Sequence, residues 1–432
     1  MAGTNPFVLL DDARADGASD AQLFENPREL FVARRPQDVE RVLAEAEHAR
    51  QESGAYLAGY IAYEAGLALE PRLAALAAPR SGGHGPLVWL GLFDAPTIIP
   101  AAQMPDWLAQ RAGAGAGAGA GHASIGPLLP QLSTGGYLAA FEALQEAIRA
   151  GDIYQANLTM PLAGPARGDP LAIYAAMRPS SNAGYGGLIF DGSHWLLSFS
   201  PELFFSLKGD AARVKPMKGT RPRGRNEAED RAFAQELAST IKDRAENLMI
   251  VDLMRNDLSR VAVAGSVKVE RPFHVETYPT VHTMVTTVKA QVQPGKGAMD
   301  MIHALFPCGS ITGAPKIRAM ELIHAHERDP RGAYCGSLGH ITPDKEGTGT
   351  ASFNVAIRTL RLTPDTHGGG RAVLGVGSAV VADSSAMDEW RECLVKGGFV
   401  HQPAPDRTQA QFDLIETMAF TPDGGIPHLE AH

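Results

Sequence analysis

The stretch GGLIFDGSHWLLSFSPELFFSL, residues 186–207, holds three runs rich in branched and aromatic side chains, GGLIF, HWLLSFS and ELFFSL. Each is bounded by Gly, Asp or Ser, residues that end strands. Just upstream, IYQANLTMPL (153–162) alternates well enough to be another strand. The spacing predicts antiparallel sheet through this region. Working outward, a helix is expected from Ser133, with Tyr137, Phe141, Leu144 and Ile148 on one stripe, stopping at Gly151. The N-terminal part reads as a helix over 36–49 and a strand in AYLAGYIAYEA. Downstream, Asn226 and Glu229 form an N-cap and N3 pattern, and the next thirty or so residues carry no Pro or Gly to stop a helix. Its second half, NLMIVDLM, is apolar nearly all round, which predicts a helix buried on most sides.

The bulk properties suit an ordinary folded protein. Of 432 residues, 44% are hydrophobic and 20% charged, which permits a large core. Length alone allows two or three domains or one large α/β unit. A net charge of −9 without clustered Lys and Arg argues against nucleic-acid binding, so a small anionic substrate would have to be held locally. No apolar run is long enough for a membrane span, and the first residues lack the order of a secretory signal, which predicts a cytoplasmic protein. Cys308, Cys335 and Cys393 are odd in number and in no zinc-like pattern, so they read as buried free thiols. RAGAGAGAGAGH (111–122) reads as a flexible linker. The expected division is therefore an N-terminal region (1–110) adding to the sheets, the linker, a catalytic domain over 123–400, and a tail over 401–432.

Several motifs suggest chemistry, and each has a plainer reading beside it. Glu202 in SPELFF has an apolar context that would raise its pKa and suit it to acid catalysis, yet taken alone it could be a strand-end surface glutamate. Lys218 in PMKGTRPRG could equally be a solvated loop lysine. Glu246 in KDRAEN enters the buried helix, or simply pairs with Arg244. In DSSAMDEWRECLVKG, Ser385 and Asp388 resemble a capping box, placing Glu389 and Glu392 one turn apart on one face. Carboxylates without His or Cys suit magnesium, while an exposed acidic face is the alternative. LGVGSAVVADS (374–384) offers backbone amides to a carboxylate at Gly375, Gly377 and Ser378, or is merely a tight turn. Arg358 could grip a carboxylate in a two-pronged contact or close a surface ion pair. SITGAPKIRAMELI (310–323) opens a helix with Pro315 in its first turn, leaving polarised amides near Thr312 and Gly313, with simple capping as the default.

Together, GDIYQANL, SPELFF, PMKGTRPRG, AENLMIVDLMRNDLSRV, FHVETYPTVHTMVTTV, FPCGSITGAPK, YCGSLGH, FNVAIRT and VADSSAMDEWRE strongly resemble, in wording and order, the chorismate-utilising enzymes. That family includes anthranilate, aminodeoxychorismate, isochorismate and salicylate synthases, and the likeness covers about the C-terminal two-thirds. The resemblance implies an α/β fold of the α+β type, two large packed antiparallel sheets flanked by helices, with the site between them. It implies that Glu202 is the general acid and that Glu246 and Glu392 hold magnesium, with Glu389 an outer contributor. Arg358, Tyr334 and amides around Gly377 would hold the carboxylates of chorismate, with Gly375, Ser378, Thr312 and Gln155 completing the substrate set.

Two positions discriminate within the family. Gln155 stands where water-using members carry a lysine base, so water is not expected to be the nucleophile. Lys218 stands where anthranilate-forming members usually carry alanine, and lysine there marks the members that form 4-amino-4-deoxychorismate through a covalent lysine adduct. No glutaminase region is recognisable, so ammonia would come from solution or from a separate glutamine amidotransferase subunit. An anthranilate synthase component I and a catalytically silent chorismate-binding subunit remain the alternatives. One departure is Ala379, where the family usually has glycine, which narrows the backbone beside the expected carboxylate site. The final stretch QFDLIETMAFTPDGGIPHLEAH resembles the opening of a class IV pyridoxal-phosphate lyase, or is a simple terminal strand; no pyridoxal-phosphate activity is expected from it.

Overall fold

The computed structural model describes residues 5–77, 85–115, 123–278, 281–343, 349–365 and 369–401. Two antiparallel sheets form its centre, one of eleven strands and one of ten. The spine of the first runs Gly313–Ala314, Gln155–Arg167, Gly369–Val380, Thr359–Pro364, Trp195–Ser198, Gly186–Phe190, Phe7–Asp11, Ala21–Glu25 and Thr97–Ile99. The second runs Met217–Pro222, Val281–Gln291, Ala211–Lys215, Leu203–Lys208, Ala351–Asn354, Ser337–Ile341, Tyr56–Ile61, Val88–Phe93 and Glu29–Ala33. The expected fold class is what the chain adopts.

Side-chain alternation makes the layers. Phe7 and Leu9 join a core under the helices Thr134–Arg149 and Pro170–Ser181, while Val8 between them joins a second core. That second core lies between the sheets, where Val8, Phe24, Ile189 and Leu196 of the first meet Ala58, Tyr60, Trp89 and Phe93 of the second. Leu57 and Ile61 point the other way, onto helices Val39–Ser53, Ile241–Ser259 and Ala298–Leu305. The order is helices, sheet, sheet, helices. Strands from residues 7–99 enter both sheets, so the N-terminal region shares their cores.

The three runs of residues 186–207 are strands, but they do not all belong to one sheet. Trp195–Ser198 lies in the first and Leu203–Lys208 in the second, so the chain crosses between sheets at 199–202. Its partner makes the reverse crossing at 355–358, between Ala351–Asn354 and Thr359–Pro364. The crossings run side by side. The Phe199 amide donates to the Arg358 carbonyl at 3.0 Å, the Val355 amide to the Glu202 carbonyl at 3.0 Å, and the Ser200 hydroxyl to the Val355 carbonyl at 2.6 Å. Glu202 and Arg358 thereby sit at one seam, where Arg358 turns between strands with φ of 50°.

Other local expectations need adjusting. The helix after Asn226 is two helices, Glu227–Ser239 and Ile241–Ser259, because Thr240 is extended and directs both its amide and its hydroxyl to the Glu236 carbonyl. The second is not buried all round: Leu248 is 50% exposed, and the buried stripe is Asn247, Ile250, Val251, Met254 and Leu258. Ser385 caps Ala386–Gly397 without a side-chain bond, and Asp388 bonds Arg391 instead of completing a box. Pro315 is the N-cap of Lys316–His326, so the Thr312 and Gly313 amides lie outside that helix, with Gly313–Ala314 paired to Gln155–Ala156. Helix Met104–Gly115 extends into the Gly/Ala stretch read as a linker, where Arg111 pairs with Glu25 and packs over Trp107. The rest of that stretch, and the tail from 402, lie outside the described residues. All three cysteines are buried and free.

Candidate active site

A cavity of about 400 Å³ opens at the seam. Its wall is assembled from both sheets: Pro201 and Glu202 from one crossing, Ile357 and Arg358 from the other, Met217–Pro222 from the second sheet, and Gly369–Val380 from the first. Helix Ile241–Ser259 contributes Lys242, Asp243 and Glu246, and helix Ala386–Gly397 contributes Glu389, Glu392 and Lys396.

Glu202 is 3% exposed, and its Oε1 has no hydrogen-bond partner. Burial pushes its carboxyl up to about 7, opposed by the approaching Ser310 hydroxyl, the Lys218 charge and the Met217 amide. It can therefore hold a proton near neutrality. Lys218, enclosed by the cavity wall, is shifted the opposite way. Desolvation lowers its ammonium pKa and Lys396 adds to that, while Glu246, Glu202 and Glu392 oppose it. Burial thus favours the neutral form of both groups, an acid with a proton to give and an amine with a lone pair.

Glu246 is half-buried, and burial raises its pKa against the pull of Lys218 and Lys242. Arg244 does not pair with it; its guanidinium lies 4.7 Å over the Phe273 ring. Glu392 is exposed and paired with Lys396 at 2.6 Å. Lys242 pairs with Asp383 at 3.0 Å. On the opposite wall Arg358 forms no ion pair among the described residues, and burial lowers its pKa. An unpaired guanidinium in a cavity is a ready grip for a carboxylate.

Tyr334 lies against the glycine strand. A Cβ on Gly375 would fall 2.0 Å from the Tyr334 ring, and one on Gly377 would fall 2.7 Å from the Thr159 side chain. Both glycines are needed for close packing of side chains as well as for any backbone approach by a ligand.

Comparison with known proteins settles the kinship, since the model of the chorismate binding enzyme family matches residues 5–402. The chain belongs to that family. As a chorismate binding enzyme it is 40% identical over 340 residues to an aminodeoxychorismate synthase of Streptomyces griseus, covering 76% of this chain and 46% of that protein. It is also 40% identical over 269 residues to aminodeoxychorismate synthase component 1 of Salmonella typhimurium, covering 62% and 57%. The chain thus spans about half the length of these curated relatives. Anthranilate synthase component I from Streptococcus pneumoniae superposes with a TM-score of 0.72 at 22% identity, covering 93% of each chain, which establishes a common fold.

Most of the residues singled out in the sequence meet in this one cavity: Glu202, Lys218, Glu246, Tyr334, Arg358, Gly375, Gly377, Glu389 and Glu392. Three do not present their side chains there. The Ser378 hydroxyl turns to the outer helices, 3.1 Å from the Tyr137 hydroxyl, leaving only its backbone in the wall. Thr312 is fully buried, donating to the carbonyls of Cys308 and Gly309. Gln155 is also fully buried, 3.4 Å from the Asn157 side chain, and it is Asn157 that lines the cavity.

Asn157, Ser310, Thr283 and Lys396 line the wall without having been singled out. All four fall within quoted motifs. For Lys396 the four-residue spacing from Glu392 was the available signal.

The donor set can be weighed against a magnesium ion. Among the described residues no group of three or more His, Cys, Asp or Glu side chains converges as a ready-made metal site. Glu246, Glu389 and Glu392 nonetheless line one cavity and offer only oxygen. That chemistry fits an ion that takes one or two carboxylates and keeps several waters.

Proposed function

We propose that this chain replaces the ring hydroxyl of chorismate with an amino group, acting as an aminodeoxychorismate synthase component I supplied with ammonia by a separate glutamine amidotransferase subunit. The observation that carries the reading is the pairing, in one cavity, of an amine and a carboxyl whose pKa values are displaced in opposite directions. The relatives named aminodeoxychorismate synthase support it.

Arg358 grips the substrate's carboxylates, and Tyr334 lines the wall beside it and orients the ring. Glu246 and Glu392 would hold magnesium, with Glu389 just outside, and the ion would supply Lewis-acid and positioning charge for the ring carboxylate. The Lys218 amine attacks the ring, forming a carbon–nitrogen bond as the carbon–oxygen bond to the hydroxyl breaks; Glu202 gives its proton to the departing oxygen, which leaves as water. The alkylated nitrogen sheds a proton, for which the Glu202 carboxylate is an acceptor. Ammonia then forms the second carbon–nitrogen bond as the bond to Lys218 breaks; Glu202 returns its proton to the departing lysine nitrogen and takes one back from the new ammonium, so the product keeps its pyruvyl group.

The test is to incubate purified protein with chorismate, magnesium and an ammonium salt, identifying products by mass, with Lys218→Ala alongside. Aminodeoxychorismate from the parent and its loss in the variant support the reading. Anthranilate with free pyruvate would move the chain to the anthranilate-forming class, and tight binding without turnover would make it a silent binder.

A further inference from the structure

Behind the cavity lies a buried charge cluster that the proposed reaction does not use. Arg331 is 8% exposed and spends its guanidinium on four bonds: Nε to Glu327 Oε2 at 2.9 Å, Nη2 to Glu327 Oε1 at 2.7 Å, Nη2 to the Asn157 carbonyl at 2.8 Å, and Nη1 to the Ile311 carbonyl at 2.8 Å. Its plane lies 4.3 Å over the Tyr63 ring. Glu327 also accepts the Thr159 amide at 2.8 Å. From the N-terminal region, the buried Glu64 carboxylate accepts the Arg331 amide at 2.7 Å and the Gly332 amide at 3.0 Å, and the Tyr63 amide donates to the Gly332 carbonyl at 2.8 Å.

Three of the segments held this way, at Asn157, at Ile311 and from Arg331 to Tyr334, carry cavity-wall residues. Ile311 follows Ser310, whose hydroxyl approaches Glu202. Asn157 lines the wall and donates its side-chain amide to the Ser310 carbonyl at 3.1 Å. Thr159 sits opposite Gly377 in the paired strands. Tyr334 is three residues beyond Arg331. A buried charge with its donors so fully used is costly to break and geometrically rigid, the properties of a support for a reaction site.

We infer that Arg331, clamped through its own backbone by Glu64, is a positioning unit for the reaction proposed above, fixing Ser310 against Glu202 and the Tyr334 ring against the glycine strand. The inference rests on that reaction for its kinetic consequence, while its structural consequence stands without it. Arg331→Lys keeps the charge but cannot form four planar bonds, and Glu64→Gln keeps the shape while replacing one acceptor with a donor.

The experiment is hydrogen exchange on parent and variants together with pH profiles of kcat and kcat/KM. Expected is about tenfold faster exchange over residues 309–312 and 331–336, unchanged exchange in Trp195–Ser198, and kcat lowered by about tenfold, in keeping with the sensitivity of reaction sites to small misplacements. The descending limb set by Glu202 should move to higher pH, because the Ser310 contact that holds its pKa down is loosened. A purely structural role would lower the active fraction without moving that limb. Unchanged exchange in both variants overturns the inference, as does faster exchange with kcat, KM and the limb all at parental values. If Arg331→Lys fails to fold, Glu64→Gln decides alone. If the parent forms no product from chorismate, the proposed reaction falls, and the exchange data still decide whether the clamp holds these segments.

Discussion

Glu202 and Lys218 show one force acting on two charge types. Burial disfavours whichever form is charged, so the Glu202 pKa rises and the Lys218 pKa falls. The sign of the pH dependence follows. An acid must carry its proton, so turnover falls as pH rises through the Glu202 value near 7; an amine must have lost its proton, so turnover falls on the acid side as Lys218 is charged. Glu202→Gln should lower kcat about 100-fold or more and abolish the alkaline limb, read from rate profiles between mildly acidic and alkaline buffers. Lys218→Arg keeps a cation that does not deprotonate, so no protein-bound adduct should appear in intact-mass spectra of chorismate-treated variant. The apolar neighbours of Glu202 announce its shift in the sequence itself. Lys218 has no such local signal, because PMKGTRPRG carries no apolar run to mark it as buried.

At the scale of elements, the glycine strand and the helix Ala386–Gly397 each make a separable prediction. Gly375→Ala places a methyl 2.0 Å from the Tyr334 ring, which must swing into the cavity, so KM for chorismate should rise several-fold more than kcat falls. Steady-state kinetics in saturating magnesium would show it. Lys396→Met frees Glu392 from an ion pair whose two side chains are each 50% exposed. Such pairs contribute roughly 0.5 kcal/mol, so magnesium affinity measured by calorimetry should improve only about twofold.

The individual strands are legible because their alternation and punctuation are local. The change of sheet at Ser200–Glu202 is not, because nothing in SFSPELFF tells which sheet each half will join; that is decided by partners about 150 residues away. The break at Thr240 escapes for a related reason, since a threonine without Pro or Gly beside it is compatible with an uninterrupted helix. Motif position alone places Ser378 and Thr312 among ligand contacts, whereas strand alternation sends the Ser378 hydroxyl outward and a local turn takes up that of Thr312.

For the whole molecule, the N-terminal strands are integral parts of the cores. A chain starting at residue 123 would lose Val8, Phe24, Tyr60 and Trp89 from the layer between the sheets, along with Glu64 from beneath Arg331. Such a truncation should give no cooperative thermal transition and rapid proteolysis, whereas restoring residues 1–115 as a separate polypeptide should bring back a cooperative transition and resistance to proteolysis. The paired crossings at 199–202 and 355–358 carry a further consequence, for the order of events during synthesis. The acid emerges from the ribosome about 150 residues before the strand that must lie beside it, so Glu202 cannot reach its buried environment until Ala351–Asn354 and Thr359–Pro364 have emerged. Contacts so distant in sequence close slowly. A nascent chain that ends short of residue 364 therefore lacks this buried setting for Glu202 and carries an ordinary, ionised glutamate there.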